Sequence, residues 1–248
     1  MSPTAALILI GDEILSGRTK DRNLGYIADF LTALGIDLME ARVVPDTEAE
    51  IVRAVNDLRS RYTYVFTTGG IGPTHDDITA DAVAAAFGVP IDHDPRAVAI
   101  LKSHFEPGML NEARLRMARI PQGASLVENR VSKAPGFRIG NVFVMAGVPA
   151  IMQAMLDAIA PQLERGTPME SRTVTAFIGE GDLARPLKEI QDRYPDVVIG
   201  SYPFHEEGRF GSNLVLRSRQ VDRLEAATRD VGEMTAALRA SGKVKVWT

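Results

Sequence analysis

Apolar positions along the chain switch between strand and helix periods. Ala5 to Ile10 is an unbroken apolar run of strand length. Asn23 to Leu34, "NLGYIADFLTAL", has apolar residues at helical spacing and stops at Gly35, a residue that can enter the left-handed region where helices end. "IDLMEARVV" predicts a second strand. "PDTEAEIVRAVNDLRSR" predicts a helix with Thr47 as its cap, Glu50 three residues later, and Ile51, Val55 and Leu58 on one face. "YTYVFTT" predicts a third strand, followed by a helix from about Ile78 to Phe87. Short buried strands joined by amphipathic helices predict a parallel sheet covered on both faces, because each crossover returns the chain to the same sheet edge.

From Pro90 to Ile139 the pattern loosens. Helical spacing recurs at Pro95 to Phe105 and Leu110 to Ala118, and "SLVENRVSKAPGFRIG" predicts irregular strands punctuated by Pro135 and Gly136. "NVFVMAGVP" repeats the strand-to-glycine-loop theme and leads into a helix from Ala150 to Leu163. Gly69-Gly70 and Gly147 are thereby expected at one sheet edge, beyond the carboxyl ends of the strands, where open α/β sheets bind ligands. "ERGTPMESR" interrupts both periods and predicts a linker. Beyond it, "TVTAFIG", "LARPLKEIQDRY", "DVVIGSYPF", "SNLVLRSR" and a helix from Asp222 to Leu238 give a β-α-β-β-α order, with Leu224, Val231 and Leu238 at seven-residue spacing. The expected organisation is residues 1–165 as one domain and residues 166–248 as a small α+β domain.

Composition narrows the classes. With 45% apolar and 24% charged residues the chain is an ordinary globular protein, and with no cysteine it has no disulfide, thiolate metal site or cysteine nucleophile. A net charge of −4, from 28 basic and 32 acidic residues without a long block of either sign, predicts no nucleic-acid partner. The first apolar run is too short to span a bilayer, lacks a basic leader and meets Asp12 and Glu13 at once. It reads as a strand, with no membrane partner and a cytoplasmic location expected.

Candidate chemistry concentrates in "TTGGIGPTHDD", Thr67 to Asp77. Gly69, Gly70 and Gly72 let main-chain N–H groups converge on an anion, the following helix adds a positive terminus, and Thr67, Thr68 and Thr74 offer hydroxyls. Asp76 and Asp77 repel phosphate unless a divalent ion such as Mg²⁺ stands between. They also fit a simpler role, since Thr74 and Asp77 have capping-box spacing and Asp76 favours a first helical turn. One aspartate as cap and the other as metal ligand are compatible. His75 stands open between ligand contact, base and local hydrogen bonding; with histidines only at 75, 93, 104 and 205, no transition-metal cluster is expected. "GDEILSG" forms a second acidic station, in which Asp12 and Glu13 end the first strand and supply a metal position and a water-orienting base. Lys20 to Asn23 follows with a cation and a cap. "SYPFHEEGRFGSN" reads either as a mobile loop near ligand or as a plain hairpin connection.

"GDEILSGRTKDRN", "TTGGIGPTHDDITADAVAAAFG", "SKAPGF" and "GVPAIMQAM" together resemble the molybdopterin-binding fold family. Within it the chain is similar to CinA-like proteins and to the amino-terminal domain of bifunctional FAD synthases. The small C-terminal unit resembles the extension found in the CinA-like group. The resemblance implies a three-layer α/β/α domain with a mostly parallel sheet, plus the small C-terminal α+β domain, and a possible homo-oligomer. It implies members that bind molybdopterin in cofactor biosynthesis or cleave pyrophosphate bonds with a divalent metal. By motif, the catalytic set is Asp12, Glu13, Asp76 and Asp77, with Asp12, Asp76 and Asp77 on Mg²⁺ or another divalent cation. The phosphate or pterin set is Asp21, Asn23, Thr68, Gly69, Gly70, Gly72, Thr74 and Gly147. "MAGVP" departs from the relatives' "LPGVP" at Ala146, and Arg22 stands where they often carry a small hydroxyl residue. The leading expectation is a metal-dependent hydrolase, a nucleotide pyrophosphatase acting on ADP-ribose or FAD. The alternatives are a molybdopterin-binding protein or enzyme of molybdenum cofactor biosynthesis, and a non-catalytic ligand-binding protein.

Overall fold

A computed structural model describes residues 2–206 and 208–242. The chain divides into two compact units between Gly166 and Thr167. In the first unit the order is β1 (Thr4–Ile10), α1 (Asp12–Leu15), α2 (Asn23–Ala33), β2 (Asp37–Val44), α3 (Glu48–Arg59), β3 (Tyr64–Thr68), α4 (Thr79–Phe87), β4 (Ile91–His93), α5 (Pro95–His104), α6 (Glu112–Leu115), β5 (Arg119–Pro121), β6 (Ser125–Val127), β7 (Gly136–Ile139), β8 (Val142–Met145) and α7 (Pro149–Ile159). A six-stranded sheet runs β2-β1-β3-β8-β7-β6. Pairing is parallel from β2 through β8 and antiparallel for β7 and β6, so the sheet is mixed.

Two-sided burial follows from the unbroken apolar strands. Ala6, Ile8 and Ile10 of β1 pack with α3 and α4 on one face, whereas Ala5, Leu7 and Leu9 pack with α2 and α7 on the other. Each fully buried large side chain contributes about 1.5–3 kcal/mol. Phe66 and Phe143, adjacent in register across β3 and β8, stack with ring centroids 5.3 Å apart. This is a three-layer α/β/α domain. The start of α3 differs from expectation. Thr47 precedes α3 but its side chain makes no cap bond, while Asp94 caps α5 by accepting from Arg96 and Ala97 N–H groups ahead of Pro95. The stretch after Leu110 is also shorter than one helix, because α6 gives way to a 3-10 turn at Arg116–Ala118. β4 and β5, a short antiparallel pair outside the main sheet, had no clear period in the sequence.

The second unit comprises β9 (Glu170–Ala176), α8 (Glu180–Arg193), β10 (Val198–Glu206), β11 (Arg209–Ser218) and α9 (Val221–Ala240), with strands ordered β10-β11-β9. It is an α+β domain with its own core, in which Leu183, Leu187, Leu214, Leu216, Leu224 and Val231 are buried. β10 and β11 pair without a break to Glu206 and Arg209, so "SYPFHEEGRFGSN" is a hairpin arm; Glu207 lies outside the described residues. Among the described residues no helix is long and apolar enough to cross a membrane.

Candidate functional site

The loops after β1, β3 and β8 converge, and the spacing between their backbones leaves no room for side chains. Gly69 has φ 107°, and a Cβ there would lie 2.1 Å from the Ile10 carbonyl oxygen. A Cβ on Gly147 would lie 3.2 Å from Gly69 Cα, and one on Gly70, at φ 65°, would meet Thr79 Oγ1 at 2.2 Å. Glycine is therefore required at 69 and 70 by both dihedral and contact. Above this floor opens a cavity of about 520 Å³, walled by Ile71, Met117, Val148 and Ile151 together with Glu13 and Asp77.

The loop from Gly69 to Thr79 is clipped at its base. Thr79 donates from its N–H to the Gly70 carbonyl and from Oγ1 to the Gly69 carbonyl, each at 3.0 Å. Gly69 N–H donates to Met145 O at 3.2 Å, extending the β3–β8 contact, and is directed to the sheet. Thr67 and Thr68 are buried at 0% and 2% exposure, with Thr67 Oγ1 lacking any partner among the described residues. Thr74 N–H and its hydroxyl both donate to Asp77 Oδ2, the former at 2.8 Å. That bond closes a turn ahead of α4, whose N-cap is Ile78 with no side-chain cap bond, so neither Asp76 nor Asp77 caps the helix. Asp77's carboxylate lies over Gly72, where a Cβ would come within 2.6 Å of it. Asp76 is exposed, and the His75 side chain is 98% exposed.

In the first-strand station, Asp12 and Glu13 begin α1 with exposed side chains. Glu13 folds back over Gly11 and reaches the cavity wall. Asp21 accepts from Asn23 and Leu24 N–H groups at 3.1 and 3.0 Å and so starts α2. Asn23 is 5% exposed, donates Nδ2–H to the Gly147 carbonyl at 2.8 Å, and lies 3.5 Å from Thr68 Oγ1.

Two features, Asp46 and Asn129, lay outside the sequence reading. Asp46, just past β2, accepts from Asp12 N–H at 3.0 Å. Burial first, then the Glu13, Asp12 and Asp76 carboxylates, hold its carboxyl above the ordinary range, opposed by that N–H. The signal was available, since parallel pairing sets Ile10 beside Val44 and so brings Asp46 next to Asp12. Asn129, 3% exposed, fixes the turn of "SKAPGF" by accepting from Val131 and Ser132 N–H groups and donating to Ser132 Oγ and Ala134 O. Within that turn Lys133 is held at φ 63° and lines a separate cavity of about 400 Å³.

Residues 6–165 match the family model described as a probable molybdopterin binding domain, and residues 168–241 match the FAD synthase middle domain. The chain belongs to the molybdopterin-binding domain family, within its CinA-like group, and shares homology with the corresponding part of FAD synthases. A protein of Aeropyrum pernix is 35% identical over 81% of this chain and 79% of its own length. A probable FAD synthase of Caenorhabditis briggsae is 32% identical over 90% of this chain and 48% of its own length, so the chain spans about half of that relative. The crystal structure of the protein CinA with unknown function from Thermoplasma acidophilum is 35% identical, covers 65% of this chain and 98% of that one, and superposes with a TM-score of 0.62.

These findings correct the expectation of a Mg²⁺-dependent nucleotide pyrophosphatase. Among the described residues, no group of three or more His, Cys, Asp or Glu side chains is arranged to hold a metal ion. Asp12, Asp76 and Asp77 were the expected ligands. Asp77 is engaged by Thr74, while Asp12 and Asp76 face solvent, so the three do not form a cage. The matched family is that of a pterin-binding domain rather than of a hydrolase. The catalytic assignment of Asp12, Glu13, Asp76 and Asp77 to metal-assisted hydrolysis falls with it.

Proposed function

We propose that this chain binds a phosphorylated pterin of the molybdopterin type, and that it serves in handling or building the molybdenum cofactor. The observation that carries this reading is the cavity above β3 and β8: about 520 Å³, floored by glycine backbone and walled largely by apolar side chains. Its volume suits a small heterocyclic ligand, and its place at the carboxyl ends of parallel strands suits a phosphate-bearing one. Ile71, Met117, Val148 and Ile151 offer flat apolar contact for a fused ring. No Lys or Arg is among the described residues lining the cavity, so a phosphate there relies on main-chain donors where Gly147 leads into α7. In this reading Asn23 and Asp21 hold the loops in place, and the glycines admit the ligand. The family description supports a pterin, and the match of residues 168–241 makes a flavin dinucleotide the comparison ligand.

The test is direct. Protein purified under mild conditions is oxidised and the supernatant examined for pterin fluorescence, and the protein is then titrated with a hydroxymethylpterin and with FAD. Co-purifying pterin, or saturable pterin binding weakened by Gly147→Val, supports the reading. Binding of FAD alone, or of neither ligand at millimolar concentration, overturns it.

A further inference from the structure

Strand β2 is an outer strand of the six-stranded sheet, and among the described residues it pairs only with β1. Its sequence, "DLMEARVV", has neither lysine nor proline, the residues that commonly keep an open edge from pairing. Met39 and Val43 are 61% and 42% exposed, and Ala41 between them is exposed as well. One bond fixes the direction of the backbone: the Val44 carbonyl accepts from Gly11 N–H at 3.1 Å, on the β1 side. Backbone groups alternate along a strand, so Arg42 also turns its N–H and C=O to β1, whereas Ala41 and Val43 direct theirs outward. Met39 is the extra residue of a bulge, since Ala5 lies beside Leu38 and Ala6 beside Glu40. The regular open edge therefore starts at Glu40.

The charges beside this edge are complementary to themselves. Glu40 accepts from Arg42 Nε at 2.7 Å and from the Tyr62 hydroxyl at 2.8 Å, and Arg42 also donates from Nη2 to Asp57. Both side chains keep about a quarter of their surface exposed, at 24% for Glu40 and 28% for Arg42. A two-fold axis sets two copies of one strand antiparallel, and its position decides which residues meet. Centred on Ala41, it places Glu40 opposite the second copy's Arg42 and Arg42 opposite its Glu40, while the outward N–H and C=O groups of the two Ala41 residues exchange bonds. Centred on Glu40 or Arg42, it sets like charges face to face and brings up backbone groups already turned to β1. Centred on Val43, it sets Ala41 against Pro45, which has no N–H to give. We propose that the β2 edge is the interface for a second copy of this chain, paired antiparallel about Ala41 so that the sheet continues from one copy into the other. This stands apart from any ligand in the cavity.

Sedimentation velocity of the full chain across micromolar concentrations is expected to show a dimer. Ala41→Lys puts like charges at the axis and is expected to weaken that dimer by about tenfold or more. Glu40→Arg is expected to weaken it as well, and Glu40→Arg combined with Arg42→Glu to restore it; thermal melts establish that each variant folds. Register is read by cross-linking, because the chain has no cysteine of its own. Ala41→Cys sets two thiols on Cα atoms about 5.5 Å apart, within disulfide reach, and is expected to give a linked dimer on mild oxidation. Val43→Cys, offset from its own copy by about four residues or ~13 Å, is expected not to link. A monomeric wild-type protein, a dimer that Ala41→Lys leaves intact, or linking of Val43→Cys as readily as Ala41→Cys overturns the proposal.

Discussion

The Asn23 side-chain amide donates to the Gly147 carbonyl at 2.8 Å, joining the start of α2 to the loop after β8 across 124 positions of sequence. The bond is partly buried and ties the start of α2 to a loop that lines the cavity. Asn23→Asp places a carboxylate oxygen against that carbonyl. The expected loss is about 1–3 kcal/mol, the usual cost of orphaning a buried polar group. Urea denaturation measures it, and a change below about 0.5 kcal/mol would show that the contact is dispensable.

Gly69→Ala is expected to be more severe than Gly17→Ala. At Gly69 a methyl group collides with the Ile10 carbonyl at 2.1 Å and the backbone has φ 107°, whereas at Gly17, with φ 72°, nothing lies within 4 Å. Dihedral strain costs about 1–3 kcal/mol at either position. Only Gly69 adds a backbone clash, so its melting temperature falls further, and equal shifts would contradict the convergence of the three loops.

Asp46 gives a pH signature. Its carboxyl is raised above the ordinary aspartate range by burial and by Glu13, Asp12 and Asp76, so the folded protein holds that proton more tightly than the unfolded chain does. Its charge therefore opposes folding as pH rises through the carboxylate range. Asp46→Asn keeps an acceptor for Asp12 N–H and removes the charge. It is expected to be more stable than wild type at pH 7, with the advantage shrinking as pH falls through the raised titration of Asp46 and gone below about 4, where the carboxyl is protonated in both states. A gain that persists unchanged at low pH points to another cause.

Asp76 and Asp77 are expected to separate cleanly. Asp77→Ala removes the acceptor for both Thr74 bonds, loosens the loop and costs about 0.5–2 kcal/mol, the scale of a lost turn or cap bond. Exposed Asp76→Asn is expected to change stability by less than about 0.5 kcal/mol. Hydrogen exchange across residues 70–79 follows the loop directly. Equal protection in both variants would contradict the closing role of Asp77.

The sequence carried the strands of the first unit with little loss because β1, β3 and β8 are buried on both faces, and unbroken apolar runs of that length admit few other readings. It did not carry β4 and β5, three-residue strands that pair with each other far apart along the chain. "TTGGIGPTHDD" announced a special loop, yet its spacing fits a capping box and a ligand set equally. The bond from Thr74 to Asp77 closes a turn instead, because α4 starts only at Thr79. Asp46 escaped notice since its neighbour Asp12 stands 34 positions away.

By itself the sequence determined the layers, the two-unit order and the family, since hydrophobic period and glycine placement are local and survive without coordinates. The tertiary structure decided what the charged residues do. It left Asp12, Asp76 and Asp77 without the common focus a metal needs among the described residues, and turned Asn23 inward to Gly147. The physical reason is that a carboxylate's role depends on which groups converge on it in space, and that convergence is fixed by strand register and loop closure, which no spacing along the chain specifies.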